Sequence, residues 1–422
     1  MMIRVRTDGQ AFPGRATARC GASCATLYRI SGAAIAALLC FAAVLATWWS
    51  GSHTPRLRSP AVGPGPIAAA RSSEGDGARI ITMPPPLIVF LYDFGGGGVG
   101  DFLKGMVSSM QLAVLAGCDF RVDFSRHPFG SALPLMPGIA ANAQARAFAA
   151  DGVRVFNTVD WLTSPTRRGA LDALLAELAS GTLGADGTVT CVQANLAMSR
   201  ELAVAVGAGT DKLIELAERS MASIYERVID GATLGTFWPA ESEPAFRIAV
   251  HLREGDRYIA HATGNKNDTR VGDQAALARA LAGIYAVVMA EAPTDMPKIA
   301  FACGDTVQAR ELLHTALAPH ATVISSPEVP VHIGYSSILD VFGPTDALRA
   351  ARDTVREHQT LASADLLFIL SGSGFSQTAC STAAAGGRFV ASSPRCFVRG
   401  GSNGDAWDPF DAVRSNFLSP NL

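Results

Sequence analysis

The feature that most constrains the fold is the order of apolar runs in the second half of the chain, where short β-type stretches alternate with longer helical patterns. Strands are expected over Phe246 to Leu252, Lys298 to Cys303, Ala321 to Ile324, Leu366 to Leu370 and Arg388 to Ala391. Between them the spacing predicts helices over Gln274 to Ala290, Val307 to Leu317, Asp346 to Ala362 and Ser376 to Ala385. Near-continuous apolar strands in βαβα order imply a parallel, doubly wound sheet with both faces covered. The first half begins in the same way. An apolar run from Leu87 to Tyr92 is followed by Gly95-Gly96-Gly97-Gly98-Val99-Gly100 and then a helical pattern through Phe102, Met106, Met110 and Ala113. Further strands are expected over Asp119 to Phe124 and Val153 to Phe156. Helices are expected over about Leu171 to Leu178 and, behind a cap at Thr210 or Asp211, over Leu213 to Ile229. The fold class is therefore α/β, and the globule divides into residues 87–240 and 241–422.

A different signal precedes the globule. From Ile30 to Ser52 the chain carries no charge, and at about 1.5 Å rise per residue a helix of this length covers the roughly 30 Å of a bilayer's hydrocarbon. Residues 1–29 hold Arg4, Arg6, Arg15, Arg19 and Arg29 against the single acid Asp8, which places that tail in the cytosol and the globule on the other side. Trp48 and Trp49 fit an interfacial anchor better than a cleavage site, so a single uncleaved transmembrane helix is expected over 30–52. Residues 53–86 are rich in Pro, Gly, Ser and Arg without apolar periodicity and form an extended stem. Lysine and arginine total 35 against 37 acids, and this balance disfavours nucleic acid as a partner. Beyond the anchor lie Cys118, Cys191, Cys303, Cys380 and Cys396, an odd set without zinc spacing. Mostly buried thiols with one or two bridges of undeducible connectivity are expected.

In an open parallel sheet, ligands bind beyond the carboxyl ends of the strands. Three ends carry suitable residues. Ala249-Val250-His251-Leu252-Arg253-Glu254-Gly255-Asp256 runs from apolar strand into a polar cluster whose arginine fork suits a diphosphate. Phe301-Ala302-Cys303-Gly304-Asp305 ends in an acid able to accept from a ribose or base edge, or to open the following helix. Leu370-Ser371-Gly372-Ser373-Gly374-Phe375-Ser376 places amides and hydroxyls at a helix N-terminus, where an anion is held without lysine. The chain has no Asp-x-Asp and no clustered His/Cys ligand set, so no metal and no cofactor is expected.

Together these segments resemble the fucosyltransferase superfamily that includes the α1,2-, α1,6- and protein O-fucosyltransferases. His251-x-Arg253-x-x-Asp256 is similar to its first motif, Ala302 to Asp305 to its second and Ser373-Gly374-Phe375-Ser376 to its third. The glycine loop and the strand Phe120-Arg121-Val122-Asp123 extend the resemblance over roughly Leu87 to Ala391. It implies a GT-B-like architecture, two Rossmann-like domains facing a cleft, with GDP-fucose as donor. By the same resemblance Arg253 binds the β-phosphate, while Asp305 and the backbone near His251 read guanosine. Ser373, Phe375 and Ser376 close over the phosphates, and Gly97, Gly98 and Gly100 let the opposite backbone approach. Several subfamilies carry a second basic residue after the motif arginine, and here that place is Glu254. The glycine loop has Asp101 where relatives often have Asn.

The implied reaction is a metal-independent, inverting transfer of fucose to a glycan or glycoprotein hydroxyl, by a type II protein of the Golgi or endoplasmic reticulum membrane. Inversion needs a base for the acceptor proton, and the position matching that of α1,6-type relatives is His261, with Asp101 and Glu254 as rivals. Asn267-Asp268-Thr269 is a glycosylation sequon. Two alternatives keep the fold: another nucleotide-sugar donor, or a catalytically silent relative that binds glycan or peptide.

Overall fold

The computed structural model describes residues 86–92, 97–124, 127, 153–184, 189–224, 231–239, 244–255, 274–328, 331, 338–384, 395–400, 406–410 and 412–417. The expected transmembrane helix, the stem, Asp256, His261, the Asn267 sequon and the strand expected over Arg388 to Ala391 lie outside these residues.

Two sheets organise the chain. The first has four parallel strands, β1 (Leu87–Leu91), β2 (Asp119–Asp123), β3 (Val153–Asn157) and β4 (Val189–Gln193), in the order β2-β1-β4-β3. The second contains β5 (Phe246–Leu252), β6 (Lys298–Gly304), β7 (Thr322–Ile324), β8 (Leu366–Ile369), β9 (Arg395–Gly400) and β10 (Ala406–Pro409), in the order β10-β9-β8-β5-β6-β7. All its pairs are parallel except β9 with β10. Strand order reverses at β5, which lies between β6 and β8, with Leu252 opposite Gly304 and His251 opposite Ile369. The loops after β5 and β8 diverge at that reversal and leave a crevice.

The connecting helices are α1 (Val99–Ala116), α2 (Pro165–Ser180), α3 (Ser199–Val206), α4 (Thr210–Ser223), α5 (Gly231–Leu234), α6 (Gln274–Glu291), α7 (Val307–Leu317), α8 (Ile338–Ala362), α9 (Gly374–Ala384) and α10 (Ala412–Phe417). Their ends follow local chemistry. Helix α2 starts at Ser164, whose hydroxyl accepts from the Arg167 amide, with Pro165 in the first turn. Helix α4 is preceded by Gly209 without a side-chain cap, so neither Thr210 nor Asp211 has the capping role expected of it. Helix α8 starts before the expected Asp346, but it is broken at Gly343, which has φ 69°, immediately before Pro344.

The first sheet buries Ile88, Phe90 and Tyr92 against Phe102, Leu103 and Met106 of α1. Ala347, Ala350, Ala351 and Val355 of α8 and Phe417 of α10 join that same core, so helices from the far end of the chain complete the first sheet's packing. The second sheet packs Ile248, Val250 and Leu252 against α6 and α7 on one face, and Ala249, Phe301 and Leu367 against Leu361 of α8 and Cys380 of α9 on the other. Cys380 is bonded to Cys396, a bridge that ties α9 to β9. Cys118 and Cys303 are free thiols.

Candidate active site

The carboxyl ends of β5, β6 and β8 converge on one recess of about 450 Å3, its open mouth included. His251, Arg253, Cys303, Gly304, Asp305, Ser373 and Phe375 line it, together with Val331, Thr354 and Glu357. Three segments far apart in sequence thus meet because parallel strands bring their ends to the same edge of the sheet.

The turn after β5 is fixed from two sides. The Arg253 amide donates to Ser371 Oγ at 2.8 Å, which ties the β5 end to the β8 end. Asp305 accepts from the Glu254 amide at 2.8 Å and the Gly255 amide at 3.1 Å, which ties it to the β6 end. Burial raises the Asp305 carboxyl above the usual carboxylate range, opposed by those two amides and by the charge of Arg253. Asp305 does not cap the next helix. Thr306 does so, its hydroxyl accepting from the Ala309 amide at 3.0 Å. Glu254 accepts a short hydrogen bond from that same hydroxyl, so its carboxylate is held at the start of α7.

On the β8 side, α9 begins at Gly374, and Phe375 lies between two histidines. The His251 ring is 5.6 Å from it and the His358 ring, edge-on, 5.2 Å. Burial holds His358 neutral, with its pKa down at about 3, and its Nε2 is 3.0 Å from the Thr378 hydroxyl. Ser373 is 1% exposed, and its hydroxyl has no hydrogen-bond partner among the described residues. A buried hydroxyl without a partner, lining a recess, has a donor available there. Ser376, by contrast, turns inward and donates to the Ser373 carbonyl at 3.4 Å. Of the three third-motif side chains, Ser373 and Phe375 face the recess and Ser376 does not line it.

The glycine loop comes to the same place from the first sheet. Gly97 has φ +87°, and the Tyr92 hydroxyl donates to its carbonyl at 2.7 Å. The Gly98 amide donates to Asp101 Oδ2 at 3.2 Å. A Cβ on Gly100 would collide with the Gly374 carbonyl and stand 2.6 Å from the Phe375 amide nitrogen, so the N-termini of α1 and α9 meet main chain to main chain. Asp101 and Lys104 project from α1 beside that contact. Burial raises the Asp101 carboxyl, while Lys104, the Gly98 amide and Arg253 act in the opposite direction. Burial lowers the Lys104 ammonium, and Asp101 opposes that shift.

Sequence reasoning missed Glu357. It lies on α8, 5% exposed, with Oε1 2.6 Å from Arg310 and Oε2 facing the Cys303 thiol at 3.7 Å. Burial raises both the Glu357 carboxyl and, further, the Cys303 thiol. The available signal was an acid on the stripe formed by Ala350, Thr354, Glu357 and Leu361, where a helix buries its apolar side. A second missed feature is Asp160 after β3, which has φ 54° and exchanges two hydrogen bonds with Asn195, at 2.8 and 2.7 Å. Its charge acts on Asp101. Among the described residues no group of His, Cys, Asp and Glu is arranged to hold a metal ion.

No protein-family model and no curated protein matches the chain. Solved structures do. The fucosyltransferase NodZ from Bradyrhizobium is 14% identical with a TM-score of 0.40, covering 78% of this chain and 99% of that one. A mutant of Arabidopsis thaliana FUT1 in complex with GDP is 10% identical with a TM-score of 0.46, covering 77% of this chain and 73% of that one. POFUT1 in complex with GDP-fucose is 10% identical with a TM-score of 0.39, covering 74% of this chain and 98% of that one.

Proposed function

We propose that the protein transfers fucose from GDP-fucose to a hydroxyl of a glycan or glycoprotein, with inversion and without a metal ion. The observation that carries this reading is the convergence of Arg253, Asp305, Ser373 and Phe375, from three strand ends read as fucosyltransferase motifs, on one recess. Arg253 supplies the charge that a leaving diphosphate needs as the bond from fucose C1 to the β-phosphate oxygen breaks. The acceptor oxygen bonds to C1 from the opposite face, GDP departs with the bonding pair, and the hydroxyl proton passes to a base. The chain's residue for that step is His261, on the motif resemblance alone. Glu357 favours a guanine donor over a uracil one. Guanine presents two adjacent N–H donors, and Glu357 lines the recess with a buried carboxylate whose Oε2 faces the Cys303 thiol, a weak donor.

The experiment is nucleotide stabilisation of the full chain in detergent. GDP raises the melting temperature with or without EDTA, and R253A abolishes both the shift and transfer. A shift with UDP but not GDP moves the donor, and no shift with any nucleoside diphosphate removes the reading. H261A keeps the GDP shift and lowers turnover; normal turnover in that variant takes the base role from His261. The same proposal places the catalytic part on the lumenal side of a Golgi-type membrane, on the strength of the uncharged stretch from Ile30 to Ser52. Protection of the globule from added protease in sealed vesicles tests that orientation.

A further inference from the structure

Lys104 is an unusual lysine. It is 7% exposed on α1, and among the described residues no acceptor lies within hydrogen-bond or ion-pair distance of its ammonium. Lysines are almost never buried to this degree unless paired. Its nearest charge is Asp101, one turn earlier, whose Oδ2 is already taken by the Gly98 amide. The ammonium is aimed at the start of α9. A Cβ added to Gly374 would stand 3.5 Å from Lys104 Nζ and 3.6 Å from Asp101 Oδ1.

Several donors and cations gather around this point. The N-termini of α1 and α9 meet at Gly100 and Gly374, so the positive ends of two helices face one another. Ser373, the residue before Gly374, holds the orphan hydroxyl, and Arg253 lines the same recess. Both Arg253 and Lys104 act on Asp101, so the two cations lie within electrostatic reach of one carboxylate from opposite sides of the seam. Asp101 is already engaged by the Gly98 amide and Asp305 by two amides of the β5 turn, whereas no acceptor among the described residues is within hydrogen-bond distance of the Lys104 ammonium.

The geometry points to Lys104 as the second cation of the diphosphate site, reaching across from the first sheet to hold, with Arg253 and the Ser373 hydroxyl, the anionic group of the donor at the α9 N-terminus. This assignment rests on the nucleotide reading above and deepens it. It also answers the sequence's oddity at Glu254. That residue stands where a second basic group is expected, but its carboxylate is bonded to Thr306 at α7, and the missing charge comes instead from α1. Asp101 opposes the lowering of the Lys104 ammonium that burial causes.

The test is calorimetric titration of the full chain in detergent with GDP, guanosine and inorganic pyrophosphate. K104M weakens GDP and pyrophosphate about 10- to 100-fold, the loss expected for a desolvated charge contact, and changes guanosine less than about threefold. K104R restores most of the loss. G374A, whose methyl enters at ordinary contact distance, occupies the space between the ammonium and the helix end and gives the same selective loss with its melting temperature maintained. Unchanged pyrophosphate binding in K104M overturns the assignment, as does an equal loss of guanosine, the signature of a merely structural lysine. Pyrophosphate binding that depends on Lys104 in a chain that takes up no guanosine or GDP keeps the anion site and discards the nucleotide reading. A wild-type chain that binds neither discards both.

Discussion

Arg310 gives the sharpest quantitative test of how the recess is built. Its guanidinium donates to the carbonyls of Gly304 at 3.1 Å, Ser326 at 2.8 Å and Glu328 at 2.6 Å, and pairs with Glu357 at 2.6 Å. The paired side chains are 10% and 6% exposed, so solvent screens the pair little. R310M preserves much of the stem volume and removes all four interactions. Removing one partner of a buried pair costs about 3–5 kcal/mol, because the remaining charge is stranded. In a unit spanning Ile80–Leu422, each kcal/mol moves the melting temperature by about 1.4 °C, so the expected drop is about 4–7 °C. The pH dependence has a definite sign. Burial already raises the Glu357 carboxyl, and Arg310 is the largest influence pulling it back, so the variant's carboxyl lies higher still. An acid whose folded pKa exceeds its unfolded value adds stability below the unfolded pKa and loses it as pH rises through the folded one. The penalty of R310M is therefore largest at alkaline pH and shrinks as pH falls towards the ordinary glutamate range. Thermal melts of wild type, R310M and R310M/E357Q at pH 5 and pH 8 read this directly. The double variant recovers part of the loss at pH 8. A pH-independent drop, or none, would refute the account of Glu357 as a charge sustained by Arg310.

Two further outcomes separate roles that the motif alone lumps together. S373A weakens GDP binding several-fold without lowering stability, because its hydroxyl bonds nothing among the described residues, whereas S376A leaves GDP affinity within about twofold, because its hydroxyl serves the Ser373 carbonyl. Equal effects in titration would contradict the geometry. T306V removes both the cap of α7 and the partner of Glu254 and lowers unfolding free energy by about 1–2 kcal/mol in chemical denaturation; an unchanged midpoint would show that this capping turn contributes nothing.

Much of the second half was legible because its signals are local. β5 is Phe246–Leu252 and α7 is Val307–Leu317, each as the apolar pattern predicts, since a bounded run of strand formers and an amphipathic stretch specify their own limits. The elements that sequence reading missed are set by neighbours. β4 becomes a strand by pairing with β1 and β3, and β9 by pairing with β8. Within the site, the strand ends identified Arg253, Asp305 and Ser373, but not how each is used. Both Asp305 oxygens accept from amides of the β5 turn, contacts that depend on the β5–β6 register. Glu357 and Lys104 stayed hidden for a common reason. Acids and lysines on helices are solvated by default, and only tertiary packing shows that these two are not.

The contact between Gly100 and Gly374 is made by main chain alone, which separates positional tolerance on its two sides. A methyl on Gly100 has no free space, while one on Gly374 meets only the ends of Lys104 and Asp101 at 3.5 and 3.6 Å. Gly100 thus acts as a locating pin between the helix of the first sheet and the helix of the second. At Gly374 an added methyl is met by two side-chain ends that can move aside. At Gly100 the change is read first by the alignment of the two helices, and every residue that depends on that alignment moves with it.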